Sequence, residues 1–190
     1  MNLPNKLTLL RVILIPFFVF FLLADFIPGY NYIALAIFCI ASLTDMLDGK
    51  IARKYNLVTN FGKFMDPLAD KLLVCSAMIC LITMQNNDVF AYQDIVFLIV
   101  VLLIIAREFI ISGFRLIASD NGVVIAASYW GKFKTVSQMA MVIVMIFNLQ
   151  LQIPAVAIIS LVLMVVALLL TVISLIDYIV KNAGVLKDQK

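Results

Sequence analysis

Six apolar runs, most of them long enough to cross the hydrocarbon of a bilayer, divide this chain into segments joined by short polar turns. No water is available in hydrocarbon to satisfy a peptide group, so each run must pair its own N–H and C=O groups, and for such unbroken runs that means α-helix. The expected spans are residues 8–24, 32–47, 66–84, 95–116, 133–149 and 154–179. Composition agrees: 65% of the residues are hydrophobic and 13% charged, about half the charge density of a soluble domain. Such spans must pack on each other, and no polar stretch is long enough for a second fold. The expectation is one all-α integral membrane domain over residues 1–190, with six transmembrane helices. Residues 2–8 are polar at intervals and too few to span; they are expected to form a short juxtamembrane helix, with Asn5 or Thr8 as a cap.

The charges orient this layout. With the N-terminus in the cytoplasm, all 14 Lys and Arg fall on the cytoplasmic side, and the outer connections carry only Asp25, Asp88 and Asp94. That asymmetry follows the positive-inside rule for short loops and puts both termini, and the polar motif below, at the inner face of the cell membrane. The first span is expected to be retained, because its apolar run exceeds a signal-peptide core and no small-x-small site follows Ala24. Pro28-Gly29 marks the first outer turn, and Asn56 and Asn60 are candidate turn or cap residues in the linker after the second span. Cys39, Cys75 and Cys80 sit in apolar runs, where a thiol packs as a small hydrophobe. The sequence has no His, so any proton transfer must fall to carboxylates.

Carboxylates are present where they are expensive. Asp45 and Asp48 end the second span, and Asp66 and Asp70 begin the third. Acidic groups at the edge of hydrocarbon carry a functional reading by default. Spacings of three and four turn each pair toward one helical face. Four unpaired carboxylates at the ends of neighbouring helices would repel, and divalent cations relieve that conflict. Oxygen-only ligation suits Mg²⁺, Mn²⁺ or Ca²⁺ rather than zinc, and two such ions form a clamp for displacement at phosphorus. Gly49 and Gly62 allow close approach of a ligand, and Arg53 offers a bidentate phosphate contact. If Asp66 caps the third helix, Pro67 takes its first position; if the helix starts near Asn60, Pro67 lies inside it.

The run Asp48-Gly49-x-x-Ala52-Arg53, eight residues, then Gly62-x-x-x-Asp66-x-x-x-Asp70, preceded by Asp45, resembles the signature of the CDP-alcohol phosphotransferase family at every fixed position. The six-span layout agrees with it along the whole chain. The resemblance implies a dinuclear Mg²⁺ or Mn²⁺ centre held by Asp45, Asp48, Asp66 and Asp70. It implies a cytidine-nucleotide site lined by Asp48, Gly49, Ala52, Arg53 and Gly62, and Asp70 as the base that deprotonates the incoming hydroxyl. Asn5 and Thr8 of the juxtamembrane segment are expected within reach of that nucleotide or its diphosphate. The reaction implied is attack of that hydroxyl on the lipid-side phosphorus of CDP-diacylglycerol, with CMP leaving.

The acceptor must be read elsewhere. Arg107 and Arg115 share a face of the fourth span, and Lys132, Lys134 and Thr135 open the fifth. These donors suit an acceptor that carries its own phosphate; the plain alternative is that they are inner-face anchors, with Arg107 paired to Glu108 or Asp120. The stretches Pro4 to Arg11, Asp66 to Lys71, Ala106-Arg107-Glu108, Gly113-Phe114-Arg115 and Gly131 to Thr135 resemble the bacterial branch of the family whose acceptor is sn-glycerol 3-phosphate, and that likeness also implies a homodimer. Inositol phosphate, phosphatidylglycerol or serine remain alternative acceptors, the cationic cluster disfavouring serine. A divalent-cation transporter is the reading from another class, although the carboxylates gather at one face and no internal repeat is visible. Nothing in the chain points to nucleic acid. Trp130 and the six Tyr are expected at the membrane interfaces.

Overall fold

The computed structural model describes residues 2–24, 26–55, 59–84, 93–120 and 128–182, with side chains at all of these except 46–54, 60, 61, 63, 64, 67, 93, 116, 117, 119 and 120. Among the described residues there are six α-helices: α1 Leu3–Leu23, α2 Tyr30–Lys54, α3 Asn60–Met84, α4 Gln93–Asp120, α5 Tyr129–Leu151 and α6 Pro154–Asn182. The described residues contain no strand.

The separate juxtamembrane helix does not form. Residues 3–8 are the first turns of α1, whose N-cap position is Asn2 without a side-chain cap bond, so neither Asn5 nor Thr8 caps it. The reason is local. Pro4 sits in the first turn, where its missing N–H removes no helical bond, and nothing between Thr8 and Arg11 interrupts the ladder. The buried set Pro4, Asn5, Thr8, Arg11, Ile15, Phe18 and Leu22 recurs at intervals of three and four as one continuous stripe.

Hydropathy supports four of the six expected spans. Helices α1, α4, α5 and α6 are long and apolar enough to cross a membrane, whereas α2 has a shorter apolar part, Tyr30–Asp45. The polar ends of α2 and α3 carry the aspartate motif and dilute their apolar runs. Exposed faces of the spanning helices are themselves apolar, as at Phe17, Phe20, Leu102, Leu103, Val165 and Leu169. Surfaces of that kind suit acyl chains.

The chain forms two compact units. One holds α1, α2, α3 and the segment Met145–Ile153; the other holds α4, the rest of α5, and α6. In the first, α1 packs along both α2 and α3. Phe18 meets Phe38 with ring centroids 5.6 Å apart, and Ala34, Ala41 and Ala77 are fully buried, small enough for helix backbones to approach closely. The turn into α2 is made by Gly29 at φ +73°, a conformation open to glycine at little cost, as Pro28-Gly29 led us to expect. Helix α3 begins at Asn60, the earlier of its two possible starts, so Asp66 is not its cap. Thr59 caps it instead: its hydroxyl accepts from the Gly62 N–H at 3.0 Å. Asn60 is therefore a helical residue, and Asn56 lies outside the described residues.

In the second unit α4 packs on α6. The buried face of α6, Ser160, Met164, Ala167, Thr171, Ser174 and Tyr178, repeats at three and four and is rich in small residues. Gln138 of α5 donates to Thr171 across the interior at 3.3 Å. Ser128 caps α5, accepting from the Gly131 N–H at 3.1 Å, which starts the helix four residues before the expected span.

Candidate functional site

Among the described residues each unit carries a cluster of charged side chains at a largely apolar interior. In the first unit the cluster is organised by α1. Asn5, Thr8 and Arg11, spaced by three, lie on its buried stripe, and each reaches a different part of the acidic motif. Arg11 is 0% exposed, and its Nη1 lies 2.7 Å from Asp45 Oδ1 on α2. The Thr8 hydroxyl, also fully buried, lies 2.5 Å from Asp66 Oδ1 on α3 and 3.1 Å from the Pro4 carbonyl. The Thr59 hydroxyl donates to Asn5 Oδ1 at 2.9 Å, completing a chain from α1 through the α3 cap to the Gly62 N–H.

Asp66 is near enough to Asp45 for their negative charges to repel. Asp70 follows Asp66 by one turn on α3, both half-buried. Gly62 is buried beside them. A Cβ there would stand 3.2 Å from Asn5 Oδ1 and 3.5 Å from Asp66 Oδ2, so glycine keeps open the space against these oxygens. Oxygen donors that repel one another in a partly desolvated site, beside a glycine that crowds neither Asn5 nor Asp66, fit a hard divalent cation. Among the described residues no three acidic, Cys or His side chains gather tightly enough to hold an ion by themselves. The side chains of Asp48, Gly49, Ala52 and Arg53, the α2 part of the expected set, lie outside the described residues.

Asn5 and Thr8, candidates for contact with a nucleotide or diphosphate, have their side chains engaged with Thr59 and Asp66. Arg11, an inner-face charge given no site role by the sequence, is the buried partner of a motif aspartate. A signal was present: polar residues at a spacing of three in an apolar helix share a face, and a buried Arg needs a partner.

The cluster of the second unit is basic. Lys134 of α5 is 2% exposed and bonds to Glu108 of α4, whose carboxylate also lies 3.2 Å from Arg107 Nη1. Arg107 therefore takes Glu108, one of its two expected partners; the side chain of the other, Asp120, is outside the described residues. Arg115 and Tyr178 lie close enough to Arg107 to act on its charge. The Arg115 guanidinium stands 5.9 Å from the Tyr178 ring centroid, a cation–π distance, and Phe114 meets the same ring edge-on. Tyr178 is buried, and its hydroxyl has no hydrogen-bond partner among the described residues.

This cluster sets Arg107, Arg115 and Lys134 against the one carboxylate of Glu108 among the described residues. Arg107 and Lys134 are buried and Arg115 is exposed, and such an excess of cationic donors suits an anion such as a phosphate. Lys132 and Thr135 do not join it. Lys132 is exposed over the Tyr129 ring at 5.4 Å, and the Thr135 hydroxyl donates to the Gly131 carbonyl at 3.1 Å. Tyr178 was not expected at all. A tyrosine in an apolar helix reads as an interfacial anchor until packing shows what it faces.

Comparison with known proteins places these clusters in context. The sequence profile of the family described as CDP-alcohol phosphatidyltransferase matches residues 1–173. The chain is 42% identical to the CDP-diacylglycerol–glycerol-3-phosphate 3-phosphatidyltransferase of Bacillus subtilis (strain 168), covering 98% of this chain and 97% of that protein. It is 38% identical to the protein of that name from Haemophilus influenzae, over 98% of this chain and 96% of the relative. The same identity holds for the Salmonella typhimurium protein, over 99% and 98%.

Proposed function

The chain belongs to the CDP-alcohol phosphatidyltransferase family, and from that premise we propose that it transfers the phosphatidyl group of CDP-diacylglycerol to sn-glycerol 3-phosphate, giving phosphatidylglycerophosphate and CMP. The observation that carries this reading is the end-to-end match to relatives bearing that activity in their names. The basic cluster around Arg107, Arg115 and Lys134 supports a phosphorylated acceptor over serine. The enzyme works in the cell membrane as a homodimer with six spans. Its termini and active site lie at the cytoplasmic face, where the layout of residues 1–190 as one domain puts all 14 basic residues.

Asp45, Asp48, Asp66 and Asp70 would hold divalent cations, Mg²⁺ or Mn²⁺, two in number; the support is the oxygen-only donor set and the repulsion between Asp45 and Asp66. When bound, such ions offset the negative charge of the diphosphate and polarise the reacting oxygens. Asp48, Gly49, Ala52, Arg53 and Gly62 bind the cytidine nucleotide, Arg53 through the bidentate geometry that suits phosphate. Asn5 and Thr8 serve that site through Thr59 and Asp66. Arg107, Arg115 and Lys134 bind and orient the acceptor phosphate. The Asp70 carboxylate takes the proton of the acceptor hydroxyl as its oxygen bonds to the lipid-side phosphorus, and the bond from that phosphorus to CMP breaks. Lys132 and Thr135 stand at the edge of the acceptor site.

The deciding assay supplies purified protein in mixed micelles with CDP-diacylglycerol and Mg²⁺, and offers sn-glycerol 3-phosphate, inositol phosphate, phosphatidylglycerol and serine separately. CMP release with sn-glycerol 3-phosphate alone is expected. Faster release with another acceptor reassigns the substrate, and no release with any removes the enzymatic reading.

A further inference from the structure

The carboxylate cluster contains a cation of its own. Arg11 is the one basic residue on the buried stripe of α1, is wholly shielded from solvent, and lies 2.7 Å from Asp45 Oδ1. Thr8, one turn before it, is 2.5 Å from Asp66 Oδ1. A single helix face thus grips one aspartate of α2 and one of α3, and these two aspartates are mutually repulsive. Around these partly exposed carboxylates like charges repel more than in bulk water, so an ion-free site gains from a counter-charge.

We propose that Arg11 is a positioning residue for the divalent-cation site: its guanidinium is the resident cation that holds Asp45 in place against Asp66 while the site is without metal. This rests on the reading of the aspartates as a metal centre and adds what sets that centre's affinity. A fixed positive charge beside Asp45 opposes the binding of a second cation there, so Arg11 weakens divalent-ion affinity while preserving the geometry the ions require. Thr8 does the same for Asp66 without charge, because a hydroxyl orients a carboxylate and leaves its negative charge available.

The effect has a definite sign. Replacing Arg11 by Met leaves the Asp45–Asp66 repulsion unrelieved in the ion-free protein and removes the competing charge. The ion-free state loses more stability than the ion-bound state, and by linkage the same difference must appear as tighter ion binding. Arg11→Lys keeps the charge and loses the planar fork, so it should fall close to the unsubstituted protein.

The test is Mn²⁺ binding followed by electron paramagnetic resonance, with thermal unfolding measured in EDTA and in saturating Mg²⁺, on the full chain in detergent. For Arg11→Met, Mn²⁺ affinity should rise about tenfold, and the Mg²⁺-induced rise in Tm should be at least twice that of the unsubstituted protein. Arg11→Lys should change the affinity by less than about threefold. An Arg11→Met protein with unchanged or weaker Mn²⁺ binding, or one unfolded even in saturating Mg²⁺, overturns the proposal, since Arg11 would then be holding the helix packing alone. Should the unsubstituted protein bind no Mn²⁺, the metal centre itself is withdrawn, which is a different failure from equal binding by protein and variant.

Discussion

The two polar clusters are built on opposite charge logic. In the first unit one buried arginine stands among acidic side chains, and the hydroxyl of Thr8 and the amide of Asn5 add orientation without charge. In the second, one buried carboxylate stands among Arg107, Arg115 and Lys134. Each minority charge does the same work: Arg11 limits repulsion among acids, and Glu108 limits repulsion among bases. What remains is an acidic surplus suited to cations and a basic surplus suited to an anion. The proposed reaction draws on both, and kinetics with each substrate varied in turn separates them.

The sharpest break should come from Asp70→Asn. Removal of a general base is expected to lower CMP release by about 10²- to 10⁴-fold, with membrane insertion retained when the protein is recovered from the membrane fraction. Near-normal turnover would take Asp70 out of that role. On the basic side Lys134→Met should come next. Loss of a charge-assisted hydrogen bond to the acceptor phosphate costs about 1.5–3 kcal/mol, so the KM for sn-glycerol 3-phosphate should rise about thirtyfold with that for CDP-diacylglycerol nearly unchanged. Lys132→Met, at an exposed lysine, should change neither by more than about twofold.

Arg115→Ala should be milder, because its side chain is more exposed and packs on Tyr178 through a cation–π contact. A rise of about tenfold in acceptor KM is expected, in line with loss of a charge-assisted hydrogen bond; an equal rise for both substrates would dissolve the distinction between the clusters. Gly62→Ala should have the smallest effect of the acidic set. Its methyl group must push Asn5 Oδ1 back by a few tenths of an ångström. Turnover should fall about three- to tenfold, a small misplacement of the kind that catalytic geometry feels. A larger loss in acceptor affinity than in turnover would move Gly62 out of the acidic cluster's account.

These predictions draw unequally on the sequence. The helices were legible because apolar runs of that length admit little else, and the boundary between α5 and α6 fell at Pro154 as read. Helix starts were less so. Thr59 and Ser128 cap α3 and α5, yet each sits among other residues equally able to cap. The aspartates announced themselves by spacing, since carboxylates at three and four residues apart on an apolar background have few structural uses. The basic cluster was half visible: Arg107 and Lys134 meet Glu108 and Arg115 meets Tyr178, whereas Lys132 turns to Tyr129. Two lysines two residues apart on a helix point about 200° apart, so only one of them can enter the interior.

Read alone, the chain determined its helical class of fold, its apolar membrane character and the spacing of its acidic motif, because these follow from hydropathy and from positions within one helix. Packing alone decided which distant groups complete that motif. Arg11 meets Asp45, and Thr8 meets Asp66 across 58 residues of chain. No periodicity within a single helix encodes such a pairing; it exists only because α1 lies along both α2 and α3, and because a buried charge must find its counterpart wherever the fold puts it.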